Sequence, residues 1–391
     1  MSYSCIFNPH GGEALRSPVD LSVDAAERAR AFHCGIDGYA PTPLCSLDAL
    51  AASVGVEKIY VKDESKRFSL NAFKSLGGSY AIARCLCEEL GIPLDENSFA
   101  LLRSEAYADK VKSRTFVTAT DGNHGRGVAW AAMMLGCPAV VYLPQGTVAE
   151  RLNNILALGA RAEITAMNYD DTVRYAKRMA AEKGWTLVQD TAWPGYERIP
   201  GFIMQGYLTM VAEIREQLGG AIPTHLFLQA GVGSMAAAVA GGCKALWGES
   251  CPKIVIVEPD KADCLYRTAR ADDGTLHTVS GAMDSMMAGL CCGEPCTIAW
   301  EALRTLAAAF VSMDDSYAAL GMRALGLPQG SDPVIVSGES GAASTGAALG
   351  LLTSPELAEA REKLGLDNHA RILLISTEGD TDRENYRRVL A

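Results

Sequence analysis

The stretch TFVTATDGNHGRGVAWAAMMLGCPAVVYLP, residues 115–144, decides the fold. A short apolar run, TFVTAT, leads into a polar glycine-bearing loop, and GVAWAAMMLG then reads as a helix ended by glycine. A second apolar run, AVVYLP, follows. Strand, helix and strand in this order form a βαβ unit, which requires a parallel pair. The pattern continues downstream through a helix VAERLNNILALG, a strand RAEITAM, another helix and a strand TLVQD.

Upstream, residues 1–40 read as a polar arm with one helical stretch, VDAAERARAFHCG. PTPL makes a turn, SLDALAASVG a helix and EKIYVKDES a strand, followed by a helix GSYAIARCLCEELG that stops at Gly91 and Pro93. Residues 93–104 read as an insertion or a surface loop. A second series starts near residue 200. It holds a long helix, the strand THLFLQAG, the helix SMAAAVAGG, the strand KIVIVEP, helices around 299–309, the strand PVIVSGES, an Ala-rich helix and the strand RILLIS. The expectation is an α/β protein with two parallel-sheet domains, a large one of residues 1–80 and 201–391 and a smaller one of residues 81–200 inserted into it.

Bulk properties narrow the function. The chain has 391 residues, 49% apolar and 21% charged, as globular proteins do. Its net charge of -11 argues against nucleic acid or an anionic membrane surface as partner. No segment has the apolar length of a signal peptide or a membrane span, so the expected location is the cytoplasm. Twelve cysteines without a secreted framework's density imply reduced thiols. Cys291, Cys292 and Cys296, with Cys264 and His277, lack a metal site's paired spacing, and no metal is expected. A redox-sensitive pair such as Cys264 with Cys292 stays open.

Chemistry concentrates on one lysine and four strand exits. In SLNAFKSLGGSYA, residues 69–81, Lys74 stands beside Gly77 and Gly78, which allow close approach of a ligand. Leu70, Phe73 and Leu76 suggest apolar surroundings that disfavour the ammonium, as Schiff-base chemistry requires. The loop TATDGNHGRG offers Thr120 and free helix amides for a carboxylate, Asn123 as a hydrogen-bond donor and Asp121 as acid or base; a plain turn with a capping Asp is the alternative. In LFLQAGVGSMAAAVAGG, Gly231, Val232, Gly233 and Ser234 open a helix in the manner of a phosphate cradle. The same residues also read as G-x-G-x-x-A, a dinucleotide fingerprint with Glu258 as ribose partner. Asp190 ends a strand before an aromatic loop, as a catalytic group or a turn cap. In RILLISTEGDTD, Ser376 or Thr377 could meet a ring nitrogen.

Together, in this order, these features resemble the fold-type II pyridoxal phosphate enzymes over nearly the whole chain. Within that superfamily, FKSLGG, ATDGNHGRGVAW, VQDTAWPGYE, EPDKADCLYR, MAGLCCGEP, SGESGAA and STEGDTD resemble the 2,3-diaminopropionate ammonia-lyase family. Serine and threonine dehydratases usually carry a small residue where Asp121 stands. The resemblance implies an active site between the two domains and pyridoxal 5'-phosphate attached to Lys74. It implies Asn123 on the ring hydroxyl, Gly231, Val232, Gly233 and Ser234 on the phosphate, and Thr377 on the pyridine nitrogen, with Ser376 as the alternative. It implies a homodimer, and a small amino-acid substrate, D- or L-2,3-diaminopropionate, broken down to pyruvate and ammonia. Asp121 and Asp190 would meet its β-ammonium group and move its α-proton from the face opposite Lys74. The rival readings are a serine or threonine dehydratase, an NAD-dependent oxidoreductase using the Gly231 loop, and a non-catalytic carrier of the cofactor.

Overall fold

A computed structural model describes residues 2–120 and 122–391; Met1 and Asp121 lie outside the described residues. Its strands are β1 (Tyr3–Phe7), β2 (Leu44–Ser46), β3 (Lys58–Asp63), β4 (Phe116–Ala119), β5 (Ala139–Leu143), β6 (Arg161–Ile164), β7 (Thr186–Leu187), β8 (His225–Gln229), β9 (Lys253–Pro259), β10 (Ala307–Met313) and β11 (Arg371–Ser376). They lie in two compact units, one of Met1–Pro18, Pro41–Ala72 and Glu213–Ala391, the other of Val19–Ala40 and Phe73–Ala212. The inserted unit is thus wider than residues 81–200: it takes in Lys74, beginning at Phe73, and the helix Val23–Cys34.

The inserted unit carries a four-stranded sheet in the order β6-β5-β4-β7, with every pair parallel. β4 and β5 are buried along their whole length, because helices cover both faces of such a sheet, and each reads as one apolar run. The helices Lys74–Leu90 and Asn123–Leu135 cross where each has a glycine. A Cβ on Gly78 would stand 3.1 Å from the carbonyl carbon of Gly127, and one on Gly127 would stand 2.9 Å from the backbone of Lys74 and Ser75. Only hydrogen at these two positions lets the helices approach so closely.

The other unit carries a seven-stranded sheet in the order β1-β10-β9-β8-β11-β3-β2. Its central pairs are parallel, while β1 and β2 are antiparallel edges. Three expectations need correction here. The N-terminal arm contributes β1, paired with β10 from Tyr3↔Met313 to Phe7↔Ala309. AAAFVSM is the strand β10, entered directly from the helix Thr297–Leu306. PVIVSGES forms no strand; β11 lies between β8 and β3, and Val334 is 64% exposed. In the inserted unit, the expected loop at 93–104 contains a short helix, Ser98–Leu102.

At the end of β3 lies a dry charge cluster with fully buried side chains. Lys62 Nζ is 2.6 Å from Glu213, and Arg67 bridges Glu213 at 2.7 Å and Glu64 at 2.8 Å. Thr42 donates to Glu64 at 2.6 Å. Two cations and two anions balance, and that balance makes their burial tolerable. Burial opposes ionisation of Glu213, yet its bonds to Arg67 and the charge of Lys62 hold its carboxyl below the ordinary range. No helix among the described residues is long and apolar enough to cross a membrane.

Candidate active site

In the inserted unit, Lys74 is the first residue of its helix, and its Nζ donates to Asp190 Oδ2. The lysine side chain is 20% exposed and that of Asp190 6%. Asp190 lies just past β7, whose pairing is prolonged by Val188 N–H donating to Val117 O at 2.8 Å. His124, in the first turn of Asn123–Leu135, is buried beside them. Its Nε2 is 2.8 Å from Val188 O and its Nδ1 3.6 Å from Asp190 Oδ2. The carbonyl can only accept, so Nε2 carries a proton and Nδ1 is the nitrogen turned to the carboxylate. Burial works to raise the Asp190 carboxyl, but the charges of His124 and Lys74 prevail and hold it at about 2. The three side chains form a proton-bearing group with a strong anion at its centre.

Tyr207 borders this group. Its ring packs on Phe73 at 4.8 Å, and Lys74 Nζ stands 5.4 Å from the Phe73 ring centroid. Burial pushes the Tyr207 phenol up, and it feels the charges of both Lys74 and Asp190. Among the described residues, the buried Tyr207 hydroxyl and Ser75 Oγ have no hydrogen-bond partner. Such groups beside a lysine suit a polar ligand. Thr120 Oγ1 accepts from Gly122 N and Gly125 N at 2.9 Å each, which shapes the loop; only its own proton remains for a substrate carboxylate. Asn123 is the first residue of the helix Asn123–Leu135. Asp121 lies outside the described residues.

In the other unit, β8 runs into Gly231, Val232 and Gly233, and Ser234 begins the helix Ser234–Trp247. Gly233 has φ +98°, and a Cβ there would come 3.2 Å from Leu265 and Leu303; a Cβ on Gly231 would meet Cys292 Sγ at 3.1 Å. Amides of a helix's first turn lack partners within the helix, so this loop fits a phosphate. The cysteine-rich segment packs behind it: Cys296 N donates to Val232 O at 2.9 Å, and Cys264 Sγ lies 3.9 Å from Gly231 O. All twelve cysteines are free thiols. Glu258 is no ribose partner. It is fully buried, and its two oxygens accept the N–H groups of Leu265 at 2.9 Å and Tyr266 at 2.6 Å. The dinucleotide reading loses its acidic anchor.

At the end of β11 the two hydroxyl candidates separate. Ser376 Oγ pairs with Ser337 Oγ at 2.7 Å inside the core, whereas Thr377 Oγ1 accepts from Gln229 Nε2 at 3.0 Å. Asp380 accepts from Asn71, and Asp382 caps the helix Arg383–Leu390, so both neighbouring carboxylates have structural duties. His124, Tyr207 and Gln229 were not singled out from sequence. His124 stood inside the quoted G-N-H loop, and Gln229 closes a strand whose three middle residues are apolar.

The model of the family described as "Pyridoxal-phosphate dependent enzyme" matches residues 36–378. The diaminopropionate ammonia-lyase of Escherichia coli is 53% identical over 376 residues, 96% of this chain and 93% of that protein. The crystal structure of the holo form of that lyase superposes with a TM-score of 0.92 at 49% identity, covering 100% of this chain and 96% of that one. A further structure, of the same lyase in complex with an aminoacrylate-PLP azomethine reaction intermediate, gives a TM-score of 0.91 at 49% identity, covering 100% and 97%. This chain belongs to the pyridoxal-phosphate dependent enzymes and, within them, to the diaminopropionate ammonia-lyase family.

Proposed function

We infer that this chain eliminates ammonia from D- and L-2,3-diaminopropionate, giving pyruvate and a second ammonia after hydrolysis of the released enamine. The observation that carries the reading is the Lys74 amine held on the Asp190 carboxylate, with His124 behind it, in a chain of this family. Pyridoxal phosphate, when bound, supplies the electron sink that acidifies the α-proton. Lys74 is the residue that would attach it, and its free amine would hold or move a proton at the α-carbon from one face. Ser234 and the amides of residues 231–234 would hold its phosphate, Asn123 its ring hydroxyl and Thr377 its ring nitrogen.

Asp190 changes character with Lys74. With the ammonium beside it the carboxylate is a weak base; when Lys74 gives up its charge, one of the two opposing charges vanishes and burial lifts the carboxyl. Asp190 then takes a proton more readily, while His124 keeps it oriented. One carboxylate of the pair Asp121 and Asp190 would bind the β-ammonium, and the pair would allow proton removal from the face opposite Lys74. A dehydratase is the second reading, and Asp121 speaks against it. We also propose a homodimer, implied by the family resemblance, and a cytoplasmic location, with which twelve free thiols agree.

The test supplies purified holoenzyme with D- or L-2,3-diaminopropionate separately and follows pyruvate, with DL-serine as control. Rapid pyruvate from both diamino isomers is the expected result. Pyruvate mainly from serine moves the enzyme to the dehydratases.

A further inference from the structure

β8 ends on a buried amide. Gln229 is 1% exposed, and its Nε2 lies 2.9 Å from Ile375 O, 3.1 Å from Ser340 O, 3.2 Å from Gly341 O and 3.0 Å from Thr377 Oγ1. Three of these neighbours are carbonyl oxygens, which only accept. The side-chain atom among them must therefore be the nitrogen, because the flipped amide would set oxygen against three oxygens. An amide nitrogen does not accept, so the fourth contact has a forced direction. Gln229 donates, and Thr377 accepts. A hydroxyl has a single proton, and that of Thr377 is thereby directed away from Gln229, as a donor. Ser376 has no such freedom, being paired with Ser337 at 2.7 Å.

We propose that Gln229 is a positioning residue that fixes the Thr377 hydroxyl as a donor to the cofactor's pyridine nitrogen, and so selects the ring in its unprotonated form. The proposal rests on the reading that Thr377 meets that nitrogen. A ring nitrogen that receives a proton donor keeps its lone pair, and a neutral ring withdraws electrons less than a pyridinium does. Gln229 thus tunes the electron sink without touching it. The amide has two protons for four acceptors, so Thr377 shares them with the carbonyls of residues 340, 341 and 375.

The test uses apoenzyme titrated with pyridoxal phosphate, reading its dissociation constant and the absorption band of the bound cofactor, with apoenzyme melting as the control for folding. Gln229→Met and Thr377→Val should each weaken binding roughly threefold to tenfold and shift the band in the same direction. The double variant should be no worse than the poorer single one, and Thr377→Ser should stay near wild type. Gln229→Leu is close in size and has no donor, so it should match Thr377→Val even if the methionine variant fails to fold. If Gln229→Met weakens binding equally in the wild-type and Thr377→Val backgrounds, Gln229 acts only through the backbone and the proposal is overturned. If Thr377→Val alone changes neither readout, the assignment of Thr377 to the ring fails. If Thr377→Val changes both and neither Gln229 variant does, the role of Gln229 alone fails.

Discussion

Replacing Gly127 by alanine should cripple turnover while leaving the fold almost as stable. The new methyl would stand 2.9 Å from the backbone carbon and oxygen of Lys74 and from Ser75 N. That is about half an ångström inside a comfortable carbon contact. All three neighbours are backbone, so no rotamer change relieves the clash; the start of the helix Lys74–Leu90 must move. Overpacking of this kind costs about 1–3 kcal/mol, but alanine in place of glycine within a helix returns about 1 kcal/mol. The melting temperature should therefore fall by only a few degrees, roughly. Catalysis is less forgiving, since a misplacement of about 1 Å at a reacting group costs on the order of a hundredfold. The expected kcat for 2,3-diaminopropionate is about ten- to a hundredfold below wild type, measured as pyruvate release beside a thermal melt. Gly78→Ala, whose methyl would sit 3.1 Å from the Gly127 carbonyl carbon, should do less. A Gly127→Ala enzyme with kcat within twofold of wild type would refute the claim that this crossing sets the position of Lys74.

Asp121→Asn should lose turnover of the D-isomer and keep that of the L-isomer, and equal losses for both count against two bases on opposite faces. Glu213→Gln leaves Arg67 and Lys62 underpaired in a dry site and should cost about 3–5 kcal/mol in urea unfolding, with KM little changed. Because the folded Glu213 carboxyl lies below its ordinary 4.5, its contribution is present above that pH and lost as the pH falls through the folded value. The acid limb of stability should flatten in the variant. Glu339 has the opposite sign: burial, then the charge of Glu378, pushes its carboxyl up to about 7. The folded state keeps a proton there that the unfolded chain has lost, so stability declines as pH rises from about 4.5 to about 7. Glu339→Gln should remove that decline and stabilise the protein at pH 8 by up to about 3 kcal/mol in urea titrations.

The parallel sheets are legible in the sequence because β4, β5, β8 and β9 are buried on both faces and leave unbroken apolar runs. β10 is not, since AAAFVSM opens with three alanines, strong helix formers, directly after a helix. Tertiary pairing with β9 and β1 overrides that local preference. VIV in residues 334–336 has the opposite failing, with strand-like residues but no place in the sheet. Lys74, the G-N-H loop and the glycine-serine loop are legible because each is one contiguous stretch whose chemistry is local. The His124–Asp190 contact spans 66 positions and the Gln229–Thr377 bond 148, so neither leaves a trace in spacing. The choice between Ser376 and Thr377 likewise waits on Ser337, which lies far away in the chain.

The sheet order also dictates how this protein emerges from a ribosome. β3 lies between β2 and β11, and β11 begins at Arg371, more than three hundred residues after β3 begins at Lys58. While the intervening chain is being made, β3 has only the short edge strand β2 to pair with. The inserted unit, by contrast, is complete once Ala212 has been added. It can fold first, with the early strands of the larger sheet waiting nearby. A translation pause after residue 212 would leave β3, with Ile59, Tyr60 and Val61 at its centre, unpaired along one edge, so β3 is the segment by which nascent chains of this protein would be held by a chaperone or lost to aggregation.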